Sequence, residues 1–452
     1  MFDELVNETS KDILSHEQRK RLRTSEEQHR FEYAIRYILS DLWKASKCIP
    51  KRSCLINLRS GFYSENPRYR DPNLTYRQVK SAFETMLSMR LIDITQEGYY
   101  DKVRMEGSLT CYTARDELQD RLLHLKGHPA ISLKPNLDNE IVLLRNIVDG
   151  RKQLINYEDT YETVIYRENL RKINKCFSRH YSDLRIKDKE IPNLVSKLQT
   201  HSDKQPIDLS SRTLVRIFSN GSFKEGGRYY RGWWQNVPSE YRKHITIGGK
   251  KTKEYDFSQL NPHMIYFAHH LAMGREDAYN RVLDGQHRDI VKEAFNAMIQ
   301  ASTPLQNCPT DLNLDPVEMT WSELKAKILN AHKPIAHLFF TGLGNKLQFE
   351  DSCIAENVML HFTKMNAPAL PVHDSFIMHY AYGGELEEAM RRAFHDRFEK
   401  DIPIKEEMLI EVANPETEDI IFKPGPSAEE IILGDVEHSQ WQERDGIWWA
   451  NK

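Results

Sequence analysis

The chain of 452 residues is long enough for two or three domains, and its 40% hydrophobic and 29% charged residues are typical of globular proteins. Its 63 basic and 66 acidic side chains give a net charge of −3, so any nucleic-acid-binding surface must be local. No apolar run approaches the roughly 18 residues of a membrane span, and the N-terminus does not open like a signal peptide. We therefore expect a cytoplasmic protein without a membrane partner.

The six cysteines are scattered, and no Cys-x-x-Cys pair occurs among them. This spacing favours reduced thiols and speaks against a zinc site. Residues 1–30 are polar and are expected to form a solvated arm. The alternative is that its basic cluster contacts phosphates; the cluster is Arg19, Lys20, Arg21 and Arg23.

Two amphipathic helices and two strands are predicted next in the chain. Apolar residues three and four positions apart predict a helix over 31–42. The pair Thr75 and Gln78 has the spacing of a capping box that opens a second helix. Runs at 91–95 and 108–113 read as strands around a polar loop.

This order of elements is similar to a winged helix-turn-helix domain over 31–125. In such domains the second helix can enter the major groove of DNA, and its candidate contacts here are Arg77, Lys80 and Arg90. A small α+β domain that makes protein contacts would give the same pattern, so both interpretations stay open.

Two carboxylates far apart in sequence stand out in the second half of the chain. Asp256 follows a β-like run and precedes an apolar helical stretch at 264–268. Asp374 lies in a β-prone hairpin pattern over 369–378. A two-metal phosphoryl-transfer site requires two carboxylates placed in this way, at the ends of strands. An Asp at the end of a strand also commonly forms a turn or caps a helix, so this interpretation stays open.

A predicted helix between these carboxylates carries polar residues at intervals of four, namely Arg288, Lys292, Asn296 and Gln300. This interval keeps them on one helical face. The two cations could clamp the β- and γ-phosphates of a nucleotide and neutralise the leaving pyrophosphate. The same pattern also describes a solvated helix face.

Several short motifs occur in the order found in family A DNA polymerases, the bacterial DNA polymerase I type, which the chain resembles over residues 211–380. The motifs are Gly227-Arg228, Gln235-Asn236-Val237-Pro238, Asp256-Phe257-Ser258-Gln259-Leu260, the pair Arg288 and Lys292, the helix with Gln348, and Val372-His373-Asp374. The resemblance implies a right-hand palm that transfers nucleotides from nucleoside triphosphates to a DNA primer–template.

In that family, Asp256, Asp374 and the backbone carbonyl of Phe257 would bind two Mg²⁺ ions, with Mn²⁺ as a possible substitute. Arg288 and Lys292 would act on the triphosphate. The resemblance further implies that Arg228 touches the primer terminus and that His373 orients it. The other implied nucleotide or primer contacts are Gln235, Asn261, Asn296, Gln300 and Gln348.

Three residues differ from those that the family has at the positions contacting the sugar and the base of the nucleotide. Asn261 replaces a Glu that blocks the 2′-hydroxyl, Asn296 replaces an aromatic residue, and Gln300 replaces a Tyr. The smaller, neutral Asn261 could admit ribonucleotides. Asp256 and Arg288 are also only 32 positions apart, which implies reduced fingers.

We expect an α+β fold in which a polymerase palm with reduced fingers follows the winged-helix-like domain. The expected segments are the arm (1–30), the winged-helix-like domain (31–125), a helical linker or thumb-like region (126–210), palm and fingers (211–425) and a tail (426–452). The alternatives are a DNA-dependent RNA polymerase or primer-making enzyme, a non-enzymatic winged-helix replication or regulatory protein, and a metal-dependent nuclease. Protein partners are not predicted.

Overall fold

The computed structural model describes residues 2–17, 21–101, 106–200, 204–407 and 439–451. This part of the chain is α+β, as predicted, with separate hydrophobic cores for the N-terminal region and for the rest. None of its helices combines the length and the apolar character needed to cross a membrane.

The N-terminal region packs helices against a small antiparallel sheet of order β1-β5-β2, and β3 and β4 form a separate hairpin. Its helices are α1 (Phe2–His16), α2 (Ser25–Lys47), α3 (Ser60–Ser64), α4 (Tyr76–Ser88) and α5 (Asp116–Leu123). Its strands are β1 (Cys54–Ile56), β2 (Ile92–Gln96), β3 (Tyr99–Asp101), β4 (Glu106–Ser108) and β5 (Thr110–Ala114).

The first thirty residues differ from the sequence prediction. The segment expected to be a solvated arm contains α1, because Leu5 and Ile13 find apolar partners in the N-terminal core. Arg23 in the basic cluster is buried against Glu17 at 2.5 Å, whereas Arg19 and Lys20 lie outside the described residues.

Helix α4 begins where it was predicted, but the predicted capping box is wrong. The side chain of Thr75 makes no capping hydrogen bond, and Gln78 is buried in the helix–core interface. A glutamine turned inward cannot reach back to the backbone of the capping residue.

The second region contains nine helices among the described residues and two larger sheets. Its helices are α6 (Pro129–Ser132), α7 (Tyr161–Arg179), α8 (Ile191–Thr200), α9 (Ser239–Arg242), α10 (Leu260–Ala268), α11 (Arg288–Gln300), α12 (Trp321–Ala331), α13 (Leu343–Lys364) and α14 (Gly383–Phe398). A further helix, α15 (Gln440–Ala450), follows near the C-terminus.

The strands of this region form two sheets. They are β6 (Val142–Val148), β7 (Arg151–Leu154), β8 (Ser182–Leu184), β9 (Val215–Ser219), β10 (Ser222–Tyr230), β11 (Ile245–Ile247), β12 (Lys250–Phe257), β13 (Leu370–Val372), β14 (Ser375–His379) and β15 (Ile404–Glu407). The first sheet of this region has the order β10-β9-β6-β7. The second sheet has the order β13-β14-β12-β11-β8, and β15 also pairs with β12.

The segment 126–210, expected to be a helical linker or thumb, contributes strands to both sheets. β6 pairs in parallel with β9, β8 pairs with β11, and apolar residues from the segment share one core with the strands that follow it. The hairpin of β6 and β7 turns at Asp149 and Gly150, both with positive φ, which is the geometry that an Asp-Gly turn favours.

Helix α15 is held against β8 by a buried ion pair. Arg444 donates from Nε to both carboxylate oxygens of Asp183 at 3.0 Å, and Asp183 is fully buried. The ring of Trp448 stacks on Tyr181 with centroids 5.0 Å apart. The C-terminal helix therefore closes the edge of the second sheet.

We expect Arg444→Ala to lower the free energy of unfolding by about 3–5 kcal/mol, because it leaves the Asp183 carboxylate buried without its cation. Urea unfolding followed by circular dichroism measures the change. The control is Arg392→Ala, which removes an exposed pair with Glu388 and should cost less than about 1 kcal/mol. Equal effects of the two substitutions would contradict the structural role of Arg444.

Candidate functional site

The antiparallel register of β12 and β14 brings the two predicted carboxylates together. Asp256 on β12 is paired directly with Ser375, and Asp374 immediately precedes Ser375 at the turn between β13 and β14. Directly paired Cα atoms in an antiparallel ladder are about 5 Å apart. Both carboxylates therefore belong to one site at the middle of the second sheet.

The hairpin that carries Asp374 is anchored by polar contacts on its inner side. Ser375 donates its hydroxyl to Glu254 Oε1 at 2.6 Å, and Arg242 donates to the other oxygen of Glu254 at 2.8 Å. Gln235 donates from Nε2 to the carbonyl of Pro371 at 3.1 Å. The predicted Gln235 thus lies against the backbone of the hairpin and ties it to the end of β10.

A register shift in β10 orients the side chain of Arg228 towards α13. Gly226 and Gly227 have φ values of 73° and 81°, and the register with β9 shifts at this point. A Cβ atom on Gly227 would lie 2.8 Å from the ring of Phe218, so glycine is required for this close approach. Arg228 then donates from Nε to Asp351 Oδ2 on α13 at 2.6 Å.

Asp351 is a site residue that sequence reasoning missed. Its side chain is 2% exposed, and burial raises its pKa to about 6 although the Arg228 cation acts in the opposite direction. The charge of Asp374 raises the pKa of Asp351 further, so the two carboxylates are electrostatic neighbours. The only sequence signal was its position three residues after Gln348, on the same face of one helix.

The remaining residues predicted near the primer end lie around this cluster. Gln348 is half-buried on α13, one turn before Asp351. His373 is exposed at the hairpin turn with a φ of 55°, and the protein around it together with the Arg228 cation lowers its pKa. The ring of Phe257 is buried, and its backbone is paired with Ile404 on β15.

Helix α11 begins with Arg288, whose side chain is held by Asp277 and Tyr279. Arg288 donates from Nε and Nη2 to Asp277 Oδ2 at 3.1 and 2.9 Å, and its guanidinium lies 5.2 Å from the ring centre of Tyr279. Burial raises the pKa of Tyr279, and the charges of Asp374 and Asp256 raise it further. Tyr279 therefore contacts Arg288 and lies within electrostatic reach of both carboxylates.

The other predicted residues of α11 follow on later turns of the helix. Lys292 is exposed. Asn261 Nδ2 donates to Asn296 Oδ1 at 2.9 Å, so two of the three positions that depart from the family contact each other. The third, Gln300, packs so closely on α13 that a Cβ on Gly344 would lie 2.3 Å from its amide carbon.

A buried histidine holds the loop that carries Asp277 and Tyr279. His332 donates from Nε2 to the carbonyl of Ala278 at 3.0 Å, and the hydroxyl of Tyr266 lies 3.1 Å from Nδ1. The N–H of Ala278 donates to Gln259 Oε1 at 2.6 Å, and Gln259 belongs to the Asp256 motif. Since His332 is fully buried, its burial lowers its pKa to about 4.

The residues predicted to read the major groove lie on or beside α4, in the N-terminal region. Arg77 is paired with Glu27 at 3.5 Å, and Lys80 is paired with Glu84 at 3.6 Å. Arg90 is exposed just after the helix, with a φ of 58°. Two of the three cations therefore have carboxylates beside them.

The cation of Arg216 on β9 faces the protein interior. It is fully buried, donates from Nη1 to Glu356 Oε2 at 3.0 Å, and packs on the ring of Tyr166. Its guanidinium therefore joins β9 to α13.

Two comparisons with known proteins accompany this geometry. No protein-family description matches the chain, and no curated protein matches it.

We expect His332 to make stability pH-dependent. Because its folded pKa of about 4 lies below the ordinary value, its contribution is complete above about pH 6.5 and is lost as the pH falls towards 4. The loss should approach roughly 3 kcal/mol. Urea unfolding of the wild type and His332→Gln at several pH values tests this, because glutamine does not titrate. Parallel pH dependences in the two proteins would refute the prediction.

Proposed function

We propose that the protein is a template-directed nucleotidyltransferase that extends a primer 3′-hydroxyl. The observation that carries this proposal is the register of β12 and β14, which joins Asp256 and Asp374 in one site. Arg228 on β10 lies within electrostatic reach of Asp374, and Tyr279, which contacts Arg288 of α11, lies within electrostatic reach of both carboxylates. The two carboxylates and the two arginines occur in the order of the family A polymerase motifs.

The donor atoms of the site fit Mg²⁺. Mg²⁺ usually binds through one or two carboxylates, with substrate phosphates and water completing its shell. Asp256, Asp374 and the carbonyl of Phe257 would hold the ions, which would activate the primer hydroxyl and stabilise the leaving group.

The cations of α11 supply the triphosphate contacts in this proposal. Arg288 is already oriented by Asp277 and by the face of Tyr279, so it loses less side-chain freedom on binding. Lys292 lies one turn later and is exposed. Together they would stabilise the negative charge that develops on the pyrophosphate.

Arg228 and His373 are the groups of this chain that would receive the primer end. Arg228 has free donors beyond the Nε that contacts Asp351, because a guanidinium carries five N–H groups. His373 is exposed next to Asp374 and has a lowered pKa, which keeps its imidazole neutral at physiological pH. A neutral imidazole could accept or donate a hydrogen bond to the primer hydroxyl.

One observation favours ribonucleotide use as a second candidate activity. Asn261 is a short neutral side chain held by Asn296 at 2.9 Å, at the position where the related polymerases exclude the 2′-hydroxyl with a Glu. An amide can donate to and accept from a hydroxyl, so this pair offers partners to a ribose. An RNA polymerase or primer-making enzyme would use the same carboxylates.

We expect Asp256→Asn and Asp374→Asn each to reduce primer extension at least about hundredfold, because each removes a charge that holds the metal ions. The measurement is extension of a labelled primer on a DNA template with Mg²⁺, run separately with deoxyribonucleotides and ribonucleotides. Asp311→Asn, which changes an exposed loop carboxylate, is the matched control and should retain full activity.

Wild-type protein that incorporates neither kind of nucleotide, yet binds duplex DNA, would contradict the proposal and support a non-enzymatic DNA-binding protein. Shortening of the labelled primer that depends on Asp256 would instead indicate a nuclease. Loss of activity in the Asp311 control would show that the effect is not specific to the site.

We expect Asn261→Glu to shift the preference towards deoxyribonucleotides by about tenfold, because the longer carboxylate would fill the space beside the 2′-carbon. The readout is the ratio of kcat/KM for the deoxy and ribo forms of one nucleotide. Asn261→Gln provides a neutral side chain of the same length and separates size from charge. An unchanged ratio of kcat/KM in both variants would show that Asn261 does not select between the two sugars.

A further inference from the structure

The loop before helix α11 holds one side of the Arg288 guanidinium. Asp277 Oδ2 accepts hydrogen bonds from Nε and Nη2 of Arg288 at 3.1 and 2.9 Å. Both bonds use the side of the planar group that contains Nε. A guanidinium carries five N–H groups, so the donors on its other side remain for a ligand. Asp277 therefore fixes Arg288 without exhausting its hydrogen-bonding capacity.

The remaining donors lie at the Nη1 end of Arg288. The side chain of Arg288 is 36% exposed. Asp289 lies 3.9 Å from Nη1, which is beyond hydrogen-bond distance, and its side chain is 92% exposed. Two parallel N–H groups at the end of a guanidinium match two oxygens of a phosphate. The Nη1 end can therefore bind an anion while Asp277 keeps the Nε side.

The second oxygen of Asp277 fixes the loop itself. Oδ1 accepts the backbone N–H groups of Tyr279 at 2.9 Å and of Asn280 at 3.1 Å. This pattern is an Asx turn, which holds the carboxylate in one orientation relative to its own backbone. Burial acts in the opposite direction, but the hydrogen bonds from Arg288 and from these N–H groups lower the pKa of Asp277. Asp277 is therefore an ionised carboxylate at neutral pH.

Two residues outside the loop fix its position in the protein. The N–H of Ala278 donates to Gln259 Oε1 at 2.6 Å, and the carbonyl of Ala278 accepts from His332 Nε2 at 3.0 Å. Gln259 caps the start of α10, in the motif that begins with Asp256, and His332 caps the end of α12. The loop is therefore joined on one side to the Asp256 motif and on the other to α12.

Tyr279 supports Arg288 from a second direction. The ring of Tyr279 is 2% exposed and meets the ring of Phe295 on α11 edge-on, with centroids 5.6 Å apart. The guanidinium of Arg288 lies 5.2 Å from the centre of the Tyr279 ring, within the range of a cation–π contact. Arg288 is thus held by a carboxylate and by a buried ring, both fixed by the same loop.

We propose that Asp277 is a positioning residue that presents the Nη1 end of Arg288 to the phosphates of a nucleoside triphosphate. This assignment rests on the proposed nucleotidyltransferase function and adds a residue that lies outside the polymerase motifs. Asp277 keeps its pair with Arg288 when the nucleotide binds, because the carboxylate and the phosphates use different sides of the guanidinium. In the competing interpretation, Asp277 is a latch that must release Arg288. The two interpretations predict opposite changes in affinity.

The test substitutes Asp277→Asn and measures binding of inorganic tripolyphosphate with Mg²⁺ to the full chain by isothermal titration calorimetry. Asparagine keeps an oxygen for the two backbone N–H groups and replaces Oδ2 by an amide nitrogen, which cannot accept from Arg288. We expect the Kd to rise about tenfold, because Arg288 must then be ordered by the ligand. In primer extension, kcat/KM for the nucleotide should fall about tenfold for the same reason.

A double-mutant cycle shows whether Asp277 acts through Arg288. In the Arg288→Ala background, Asp277→Asn should change the Kd for tripolyphosphate less than about twofold, because the group that it positions is absent. A general structural role of Asp277 would instead weaken binding equally in both backgrounds. If Asp277→Asn fails to fold, Asp277→Ser provides a second variant, because the hydroxyl can accept from the backbone and is too short to hold Arg288.

The matched control is Asp284→Asn, the same substitution with the same change in net charge in the same loop. Asp284 is exposed and has a φ of 50°, a conformation that asparagine adopts readily. The control should keep both the Kd for tripolyphosphate and kcat/KM within about twofold of the wild type, because it does not touch Arg288.

Tighter tripolyphosphate binding by Asp277→Asn would overturn the proposal in favour of the latch. Unchanged binding, or an equal loss with and without Arg288, would also overturn it. Wild-type protein that extends no primer, yet binds tripolyphosphate through Asp277 and Arg288, would refute the proposed activity and leave this inference standing. Extension that is lost in Asp256→Asn but unchanged in Asp277→Asn would refute this inference and leave the proposed activity standing.

Discussion

The cross-strand pairing of Asp256 with Ser375 is the constraint on which the site depends. Side chains alternate along a strand, so a slip of one residue would send Asp256 to the opposite face of the sheet. Glu254, two residues earlier, holds the register through Ser375 and Arg242. The buried polar contact therefore specifies the alignment as well as contributing to stability.

Helix α13 is joined to the first sheet by two arginine–carboxylate pairs. Arg216 and Arg228 both reach α13 from β9 and β10, where they meet Glu356 and Asp351. Buried arginine–carboxylate pairs add little net stability compared with apolar packing, but separating the partners is costly. The two sheets are consequently held in one relative position, and Arg228 cannot leave the carboxylate cluster without leaving Asp351 buried and unpaired.

Sequence reasoning found the elements whose signals are local and missed those that depend on distant partners. The periodicity of α2 and the strand patterns around β2 and β5 were sufficient to place them. The motif positions also identified Asp256 and Asp374, which the structure brings together. The Asp149-Gly150 turn was a readable signal that was overlooked, and it would have revealed β6 and β7.

Asp351 could not have been found in that way, because its partner Arg228 is 123 positions away and nothing in its own segment distinguishes it. The same holds for Asp277, whose importance comes from its contact with Arg288. Asp351 also places a buried carboxylate within electrostatic reach of the half-buried Asp374, and the Arg228 cation interacts with both. Since Asp351 already orients the Arg228 guanidinium, the primer end of the proposed reaction would meet a prearranged group of charges rather than side chains that must first be ordered.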